Sequence, residues 1–470
     1  MALRRAAFAL TVALVTVAGC TRSGTKAGGA EPVTLRIAAL EQQSAPYAKT
    51  LEEFARQAGA ASHGRVRVQI VWNAATATFG EYGPRAEQQV AGLVRDGRTE
   101  LGFIPTRAWD ELGVTSFQAL QAPFLIDSQP LLTKVVQSDM PARMLAGLEP
   151  AGVVGLALLP EDLRHPIGFN RPFLSISDFN GAKVRTLQSD VAYQTLRALG
   201  AEPVSPSGTD FGGGAASGQI AGAESALEWG FDLPDLGTFT SNITFYPKVE
   251  SLVANKAAFA RLGQQDQRAL REAASGAQRY AIAHMKSEAD AATEYCGMHG
   301  SVVTARTEDV AALTQATAPV YATLERDPQT KTFIAQIRTL RAGVADPAQS
   351  GAQPCGVPES RKSSTPGTPA QQAAFPEGVY RNDNPELQTL TIKNGFWKHE
   401  FPAGSCNGSY SVRDGWLTLT LNTAMCDDPA DYRVLYARWE LKDGVLRFLD
   451  AEGDLGALKA FTSAPWQKIG

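Results

Sequence analysis

Histidine and cysteine are the residue types that most often carry catalysis or bind metals, and their spacing here forms no motif for either. The five histidines are spread along the chain without the short intervals of metal ligands: His63, His165, His284, His299 and His399. The sequence lacks a His-Glu-x-x-His zinc motif, a pair of Cys-x-x-Cys motifs and a Gly-x-Ser-x-Gly nucleophile turn. It therefore predicts a protein that is not an enzyme and that uses no cofactor.

Two shorter segments contain residue types found in catalytic or ligand-binding sites. In each segment a structural role is the simpler interpretation. Cys296 and His299 could bind a metal or form a thiol nucleophile, but a cysteine of an exported protein is usually half of a disulfide. Residues 211–214, Phe-Gly-Gly-Gly, lack the Gly-x-Gly-x-x-Gly pattern and the lysine of a phosphate-binding loop. We expect these four residues to form a mobile loop.

The N-terminus has the features of an export signal. Two arginines precede an apolar run at residues 6–17, and small residues then lead directly to Cys20. The run is shorter than the ~20 residues that cross a bilayer, as in signal peptides. Because a cysteine after Ala-Gly resembles a bacterial lipobox, residues 1–19 are predicted to be a lipoprotein signal peptide and Cys20 to be acylated. An ordinary secretory signal with an incidental cysteine is the alternative.

The predicted processing places the mature protein outside the cytoplasm. Residues 20–32 are rich in Gly, Ser, Thr and Ala without periodicity, which predicts a flexible tether. The lipid on Cys20 would hold the protein at the cell membrane, facing the periplasm or the cell exterior.

Composition narrows the class of protein and its partners. Lys and Arg number 44 and Asp and Glu 48, a net charge of −4, so the basic excess of a nucleic-acid-binding protein is missing. The chain has 470 residues, of which 44% are hydrophobic, which is enough for several cores and two to four domains. Only the N-terminal run is long and apolar enough to concern a bilayer, so we expect no integral membrane protein.

The long central region alternates between strand-like and helix-like segments. Residues 33–40 and 66–72 alternate apolar and polar positions, residues 47–58 and 84–95 have helical spacing, and residues 101–104 are apolar throughout. This β-α-β-α-β order is typical of a mostly parallel sheet covered by helices. Further along, residues 256–295 and 307–324 have the composition of long helices.

The last quarter of the chain differs from the central region in composition and periodicity. Residues 346–374 contain several prolines and lose all periodicity, which predicts an interdomain linker. After it, Asn394-Gly395, Asp414-Gly415 and Asp443-Gly444 each lie between alternating apolar and aromatic runs. Such dipeptides favour the tight turns of β-hairpins, so residues 375–470 are predicted to form a small all-β barrel or meander.

Several segments of the central region, in this order, carry a resemblance to a known family. They are LEEFARQAGAASHGRVRVQIVWNAATATFG, VAGLVRDGRTELGFIP, ALQAPFLI and FNRPFLSISDFNGAKVRTLQSDVAYQTLRALGAEPV. Together they resemble the DctP-type solute receptors of tripartite ATP-independent periplasmic (TRAP) transporters, over about residues 33–341. The resemblance implies a two-lobed α/β fold of the class II periplasmic-binding-protein type over residues 33–345. The lobes would close on a small organic ligand, which the receptor delivers to membrane transporter subunits.

The resemblance also implies two ligand-binding arginines. The arginine of the family's Gly-x-Lys-x-Arg segment, which pairs with the ligand's carboxylate, is Arg185 here, and the nearest match to a second one is Arg164. A guanidinium can donate to both oxygens of a carboxylate, and each such charge-assisted bond contributes ~1.5–3 kcal/mol. A surface salt bridge is the alternative role for either residue.

The chain departs from the family pattern around residues 208–225. Glu224 keeps the family's glutamate, but Ala221 and Ser225 replace its aspartate and asparagine, and glycines occupy the place of its tyrosine. A site without those groups would be roomier and suit a ligand larger than a four-carbon acid, or one bound through fewer charges. The aromatic wall would then come from other residues, and the candidates are Phe211, Trp229, Trp72 and Trp109.

Loops that follow strands supply one more candidate contact. Arg107 lies just after the strand at residues 101–104, where open α/β sheets place their ligands. It could meet an anionic group of the ligand, or form a salt bridge with Asp110 or Glu111.

Two other functions stay open on the sequence alone. The additional β-domain is compatible with a surface sensor or adhesion lipoprotein that keeps the receptor fold without transport. A secreted hydrolase would need a nucleophile and base, which the motifs do not provide.

The number of cysteines, five, is consistent with one lipid-anchored cysteine and two disulfides. If Cys20 is acylated, four remain, and four cysteines allow three pairings. The domain boundary favours Cys296 with Cys355 and Cys406 with Cys426.

Overall fold

The computed structural model describes the chain from residue 32 onward in segments. They are residues 32–80, 83–206, 208–233, 237–298, 300–344, 352–355, 375–382, 388–393, 396–401, 404–413, 416–421, 434–453 and 465–469. The predicted signal peptide, Cys20, the tether and most of the linker lie outside these segments.

The first lobe begins with the β-α-β-α-β order that the sequence predicts. Its strands and helices are β1 (Val33–Ala39), α1 (Ala48–Ala61), β2 (Val66–Val71), α2 (Ala74–Phe79), α3 (Ala86–Arg95) and β3 (Leu101–Pro105). β1 pairs in parallel with both β2 and β3. α1 buries Leu51, Phe54 and Ala58 on the face that covers the sheet, at the spacing of an amphipathic helix.

Two long strands run through both lobes. After α4 (Gln129–Val136) and α5 (Met140–Ala146), β4 (Val153–Gly168) extends over 16 residues. It pairs antiparallel with β9 (Tyr246–Asn255), which also pairs with β3 of the first lobe. The far end of β4 pairs with strands of the second lobe, so the two lobes share these crossing strands.

The second lobe is built on the end of β4. Its elements are α6 (Ile176–Phe179), β5 (Lys183–Arg185), α7 (Asp190–Ala198), β6 (Glu202–Val204), α8 (Gly208–Ala216), β7 (Gly222–Ser225) and β8 (Thr238–Thr240). β5 pairs in parallel with β6 and β7, and the sheet order through both lobes is β2-β1-β3-β9-β4-β7-β5-β6. Residues 211–214 therefore lie within helix α8, and the predicted mobile loop is wrong.

Helices complete the receptor region. They are α9 (Lys256–Ala260), α10 (Gln264–His284), α11 (Glu288–Gly297), α12 (Thr307–Ala316), α13 (Ala318–Leu324) and α14 (Pro328–Arg341), with strand β10 (Ser301–Val303) between α11 and α12. α10 packs on α1 and on β4, where Nε2 of Gln278 donates to the carbonyl of Leu158 at 2.7 Å. The helix predicted over 307–324 is divided at Thr317, because Pro319 cannot donate the backbone hydrogen bond that a continuous helix needs.

The C-terminal region is a closed barrel. Its described strands are β11 (Gly378–Asn382), β12 (Gln388–Lys393), β13 (Phe396–Phe401), β14 (Gly404–Arg413), β15 (Trp416–Leu421), β16 (Val434–Lys442), β17 (Val445–Gly453) and β18 (Trp466–Lys468). Each pairs antiparallel with the next, and β18 also pairs with β11, which makes a barrel rather than a meander. Trp397, Tyr380 and Trp466 fill its interior.

One of the three predicted hairpin turns falls on described residues. Asp443 and Gly444 join β16 to β17 with φ of 53° and 78°, the positive angles that a tight hairpin turn requires. Asn394-Gly395 and Asp414-Gly415 lie outside the described residues.

One of the two predicted disulfides is present. Cys296, in α11, is bonded to Cys355, with a Cα–Cα distance of 6.1 Å. The backbone N–H of Cys355 also donates to the carbonyl of Val302, so this end of the linker is held on the second lobe. Cys406 contributes backbone to β14 and Cys426 lies outside the described residues, so their pairing stays a prediction.

We expect Cys355→Ser to destabilise the receptor region by ~2–4 kcal/mol, the usual contribution of a disulfide that closes a long loop. Differential scanning calorimetry of the purified protein measures the change. Cys20→Ser is the matched control and should leave the unfolding of the receptor region unchanged. An equal Tm in the Cys355→Ser protein would contradict a stabilising role for this bond.

Candidate ligand-binding site

The crossing strands carry buried polar side chains where the two lobes meet. Because side chains alternate along a strand, Tyr246, Lys248 and Glu250 share one face of β9. All three are buried, although they lie in a strand whose other residues are mostly apolar. Arg164 of β4 is the register partner of Tyr246. The polar face of this two-stranded ribbon therefore forms a floor between the lobes.

Arg164 forms a buried ion pair with Glu224 of β7. Its Nε lies 2.6 Å from Oε2 of Glu224, and its Nη2 donates to the Glu224 carbonyl at 3.0 Å. The hydroxyl of Thr186 donates to the other carboxylate oxygen at 3.1 Å. Burial alone would raise the pKa of Glu224, but the guanidinium groups of Arg164 and Arg107 outweigh burial and lower it. Glu224 is therefore ionised.

Arg107 forms a second buried pair, and its partner differs from the two that the sequence offered. Its Nη2 lies 2.7 Å from Oε1 of Glu87 in α3, and its Nε lies 3.1 Å from Oε2, a bidentate arrangement. Glu111 instead pairs with Arg85, and Asp110 accepts a hydrogen bond from Ser189. α3 packs beside the segment after β3, which places Glu87 rather than either sequence neighbour in reach of the guanidinium.

Arg185, at the end of β5, lies over an aromatic ring. Its Cζ is 4.9 Å from the centroid of Phe211 in α8, a cation–π contact. Its charge also contributes to the lowered pKa of Glu224, together with those of Arg164 and Arg107. Three guanidinium groups, from the first lobe, the crossing strand and the second lobe, therefore lie near enough to one carboxylate to lower its pKa.

Some buried hydrogen-bond donors beside this cluster have no acceptor within the described part of the chain. There, Nη1 of Arg107, Oη of Tyr246 and Nε1 of Trp229 are buried and have no hydrogen-bond partner. Burial and the nearby Glu224 raise the pKa of Tyr246, so its phenol keeps the proton and is a donor. Unsatisfied buried donors are costly, so ligand oxygens at this position would lower the free energy of the site.

A second charged cluster adjoins the first on β9. Nζ of Lys248 lies 2.9 Å from Oε2 of Glu161 and 3.2 Å from Oε1 of Glu250. It also lies over the rings of Tyr47 and Trp229, at 5.2 and 5.4 Å. Burial raises the pKa of Glu250 well above its ordinary value even though Lys248 opposes it. The cluster thus offers carboxyl oxygens, an ammonium group and an aromatic surface.

The structure brings together most of the predicted site residues. Arg185, Arg164, Glu224, Phe211 and Arg107 form the first cluster, and Trp229 belongs to the second. Their roles toward a ligand stay predictions.

The two remaining aromatic candidates lie in the first lobe. Trp72 is half-buried against the first-lobe core. Trp109 is fully buried in that core, where its Nε1 donates to Oγ of Ser251 at 2.8 Å, so it is not an aromatic wall of the site. Apolar residues of the first lobe surround the ring of Trp109 in the core.

Residues of β9 and the residue before α1 also belong to the site, although the sequence did not single them out as ligand contacts. Tyr246, Lys248, Glu250 and Tyr47 all lie in the two clusters. The signal was present for three of them, because Tyr-x-Lys-x-Glu places polar residues at every second position of an apolar strand.

The two lobes also contact each other beside the site. Nε2 of Gln88 in α3 donates to the carbonyl of Gln188 at 2.8 Å, and the hydroxyl of Ser189 donates to Oδ2 of Asp110 at 2.9 Å. Burial raises the pKa of Asp110 to about 7, in spite of the hydrogen bond from Ser189. These contacts hold the lobes together across the site.

Two negative findings concern the described segments. They contain no group of three or more metal-ligating side chains that could hold an ion. Within them, no helix is both long and apolar enough to span a membrane.

The model of the family described as "Bacterial extracellular solute-binding protein, family 7" (DctP) matches residues 37–327, more than half of the chain. The chain belongs to this family. It is therefore a relative of receptors that bind solutes outside the cytoplasm, which agrees with the resemblance noted in the sequence.

Curated relatives match over shorter stretches. The C4-dicarboxylate-binding periplasmic protein DctP of Rhodobacter capsulatus is 26% identical over 174 residues, 37% of this chain and 50% of that protein. The ectoine-binding periplasmic protein TeaA of Halomonas elongata is 27% identical over 128 residues, 27% of this chain and 37% of that protein. The matched part of the chain thus spans half or less of the length of these relatives.

Solved structures confirm the two-lobed α/β fold. A TRAP periplasmic solute-binding protein from Roseobacter denitrificans with bound β-D-glucuronate has a TM-score of 0.57 at 20% identity, covering 65% of this chain and 99% of its own. The sugar acid-binding protein DctPAm of Advenella mimigardefordensis, in complex with galactonate, also has a TM-score of 0.57 at 20% identity, covering 66% and 99%. The receptor lobes of the DctP family member therefore have the TRAP receptor fold, and the barrel is an addition to it.

We expect the free energy of unfolding to decrease as the pH rises from 4 to 7, partly because of Asp110. Its pKa of about 7 in the folded state exceeds the ~3.9 of an unfolded chain, so the folded state binds more protons in this range. One such group can lower the free energy of unfolding by at most about 1.4 kcal/mol per pH unit. Asp110→Asn removes this titration and should gain stability relative to the wild type as the pH rises.

Denaturant unfolding at pH 5 and pH 8 measures the effect. The exposed carboxylate of Asp139 provides the control, since Asp139→Asn should change both values alike. If Asp110→Asn shifts stability equally at the two pH values, Asp110 does not titrate as described.

Proposed function

We propose that this protein is an extracytoplasmic receptor that captures a small organic acid between its lobes and delivers it to a TRAP-type membrane transporter. The acid carries one carboxylate, which binds Arg185, and several hydroxyl or carbonyl oxygens. Membership of the DctP family and the TRAP receptor fold support the general role. The geometry of the charged clusters supports the class of ligand.

The convergence of three guanidinium groups at the meeting of the lobes carries this proposal. Arg107, Arg164 and Arg185 come from three different parts of the fold, and all three act on Glu224. The buried donors of Arg107 and Tyr246 lie in the same cluster. A carboxylate with adjacent oxygens matches this set of donors, because guanidinium and phenol groups donate to anionic and neutral oxygens alike.

The charges of the cluster favour a monocarboxylate. Glu87 and Glu224 together supply two negative charges against the three positive charges of the arginines. One ligand carboxylate balances this difference, whereas a dicarboxylate would add an excess negative charge to a buried site. Burying an unbalanced charge is strongly unfavourable, so the second carboxylate of a C4-dicarboxylate would weaken binding.

The second cluster suits the oxygens of a sugar acid. Lys248, Glu161 and Glu250 offer donors and acceptors for hydroxyl groups, and Tyr47 and Trp229 offer flat apolar surfaces. Five solved structures with the same fold hold glucuronate or galacturonate, and a sixth holds galactonate. D-Galacturonate and D-glucuronate are therefore the first ligands to test.

Ligand capture would work by closure of the lobes about the crossing strands. β4 and β9 belong to both lobes, and β4 is irregular between Pro160 and Leu163. A β-bulge bends a strand without breaking the sheet. A ligand that contacts Arg107 of the first lobe and Arg185 of the second favours the closed state, because it binds that state better than the open one.

We expect Arg185→Ala to weaken the binding of D-galacturonate about 100-fold, the loss of ~3 kcal/mol from a charge-assisted bond pair. Isothermal titration calorimetry with the purified protein measures the affinity. Arg197→Ala is the matched control, because this arginine lies on α7 of the same lobe over the ring of Tyr193. Its affinity should equal that of the wild type.

Two results would overturn parts of this proposal. Unchanged affinity in Arg185→Ala would refute the carboxylate clamp. Tighter binding of succinate or malate than of any sugar acid would refute the preference for a monocarboxylate.

The protein is also proposed to be lipid-anchored through Cys20, on the basis of the apolar N-terminal run and its Ala-Gly-Cys ending. In cells, Cys20→Ser should abolish incorporation of labelled palmitate and release the protein from the membrane fraction. Cys355→Ser serves as the control and should keep both. A wild-type protein that carries no lipid would establish an ordinary secretory signal.

A further inference from the structure

The C-terminal barrel contacts the receptor at helix α8, the helix that carries Phe211. α8 packs against β13 and β14 of the barrel. The contact is close at one point, since a Cβ built on Gly212 would lie 2.4 Å from Cζ of Phe396 and 3.1 Å from its neighbouring ring carbons. Real Cβ atoms do not approach so closely, so a larger residue at 212 would require the Phe396 ring or the helix to shift.

Phe396 points away from the barrel interior. Side chains alternate along β13, and Trp397 and His399 are buried inside the barrel. Lys398 and Glu400, which share the outer face with Phe396, have side chains about half exposed, at 49% and 48%. Phe396 is half-buried on this outer face because α8 lies against it. An aromatic residue on the outside of the barrel is thus covered by the receptor.

The sequence of α8 makes the helix dependent on such contacts. Gly212, Gly213 and Gly214 are consecutive, and each glycine within a helix costs ~1 kcal/mol relative to alanine. A nine-residue helix of this composition is unstable alone, so tertiary packing must hold it. Phe211 packs against Phe169 of the second lobe, Gly214 lies against Ile220, and Gly212 lies against Phe396.

We propose that the barrel positions the ligand-binding site, with Phe396 as a positioning residue that holds α8, and through it Phe211, against Arg185. Gly212 then has a reason in the structure, because the Phe396 ring of the barrel approaches it closely. The effect on ligand affinity rests on the carboxylate role of Arg185 proposed above. The docking of Phe396 on Gly212 does not depend on that role.

A double-mutant cycle on the full chain tests the docking without a ligand. Gly212→Ala in the wild type should loosen α8, because the added methyl group collides with Phe396. In the Phe396→Ala protein, the same substitution should tighten α8, because the collision is gone and alanine favours the helix. Hydrogen–deuterium exchange of residues 208–216 measures the change, and a reversal of its sign is the expected result.

A neighbouring glycine supplies the matched control. A Cβ on Gly214 would meet Ile220 of the same lobe at 2.5 Å, so Gly214→Ala should act alike in both backgrounds. If Gly212→Ala also has the same effect in both, Phe396 does not dock there and the proposal is wrong. Phe396→Leu, which keeps an apolar side chain, should restore part of the protection that Phe396→Ala loses.

The link to the ligand is tested with D-galacturonate as the probe. We expect Phe396→Ala to weaken its binding about five-fold, the factor of a disturbed cation–π contact, and Phe396→Leu to recover part of it. Leu441→Ala, a change at an exposed barrel residue, should leave affinity unchanged. Loss of α8 protection with unchanged affinity would refute the positioning role but not the docking. If the wild type does not bind the probe, the proposed ligand class fails, while the exchange cycle still decides the docking.

Discussion

The burial of ionised side chains where the lobes meet is the constraint on which the rest of the structure depends. A guanidinium or carboxylate removed from water costs several kcal/mol unless a partner of opposite charge and further hydrogen bonds replace the solvent. Arg164 and Glu224 satisfy each other, as do Arg107 and Glu87. Each pair joins residues that are distant in sequence, so the fold must bring strands and helices together in one arrangement.

The crossing strands meet this constraint and also allow movement. β4 and β9 are apolar enough to remain buried in both lobes, and their alternating polar positions face the site. The same strands contain the register shifts at which the sheet bends. Binding and closure therefore depend on the same short segment of chain. This shared use of one segment explains why charged residues such as Lys248 and Glu161 lie inside a sheet.

The barrel extends this receptor beyond the length of the solved TRAP receptors compared above. Solved TRAP receptors cover about two-thirds of the chain, and the barrel lies beyond the part they match. Its contact with α8 connects it to the region in which the chain departs most from the family pattern. Gly212, one of the glycines in the place of the family's tyrosine, leaves room for the Phe396 ring that lies against it. The two departures are thus explained together.

Local patterns in the sequence determined much of the architecture. The alternation of β1 and β2, the helical spacing of α1 and the Asp443-Gly444 turn can each be read from neighbouring residues, because backbone preference and periodicity are local properties. The pairing of Cys296 with Cys355 followed from the boundary between the domains. Arg185 and Arg164 stood out because they lie in segments that resemble a known family.

Tertiary structure alone decided the partners and faces of the remaining groups. The sequence offered Asp110 and Glu111 for Arg107, but the packing of α3 selected Glu87. It offered Trp109 as part of the ligand site, but the apolar core enclosed it. It presented residues 211–214 as a loop, yet packing on Phe169, Ile220 and Phe396 holds them in a helix. In each case the deciding contact comes from residues far along the chain, and no local pattern contains that information.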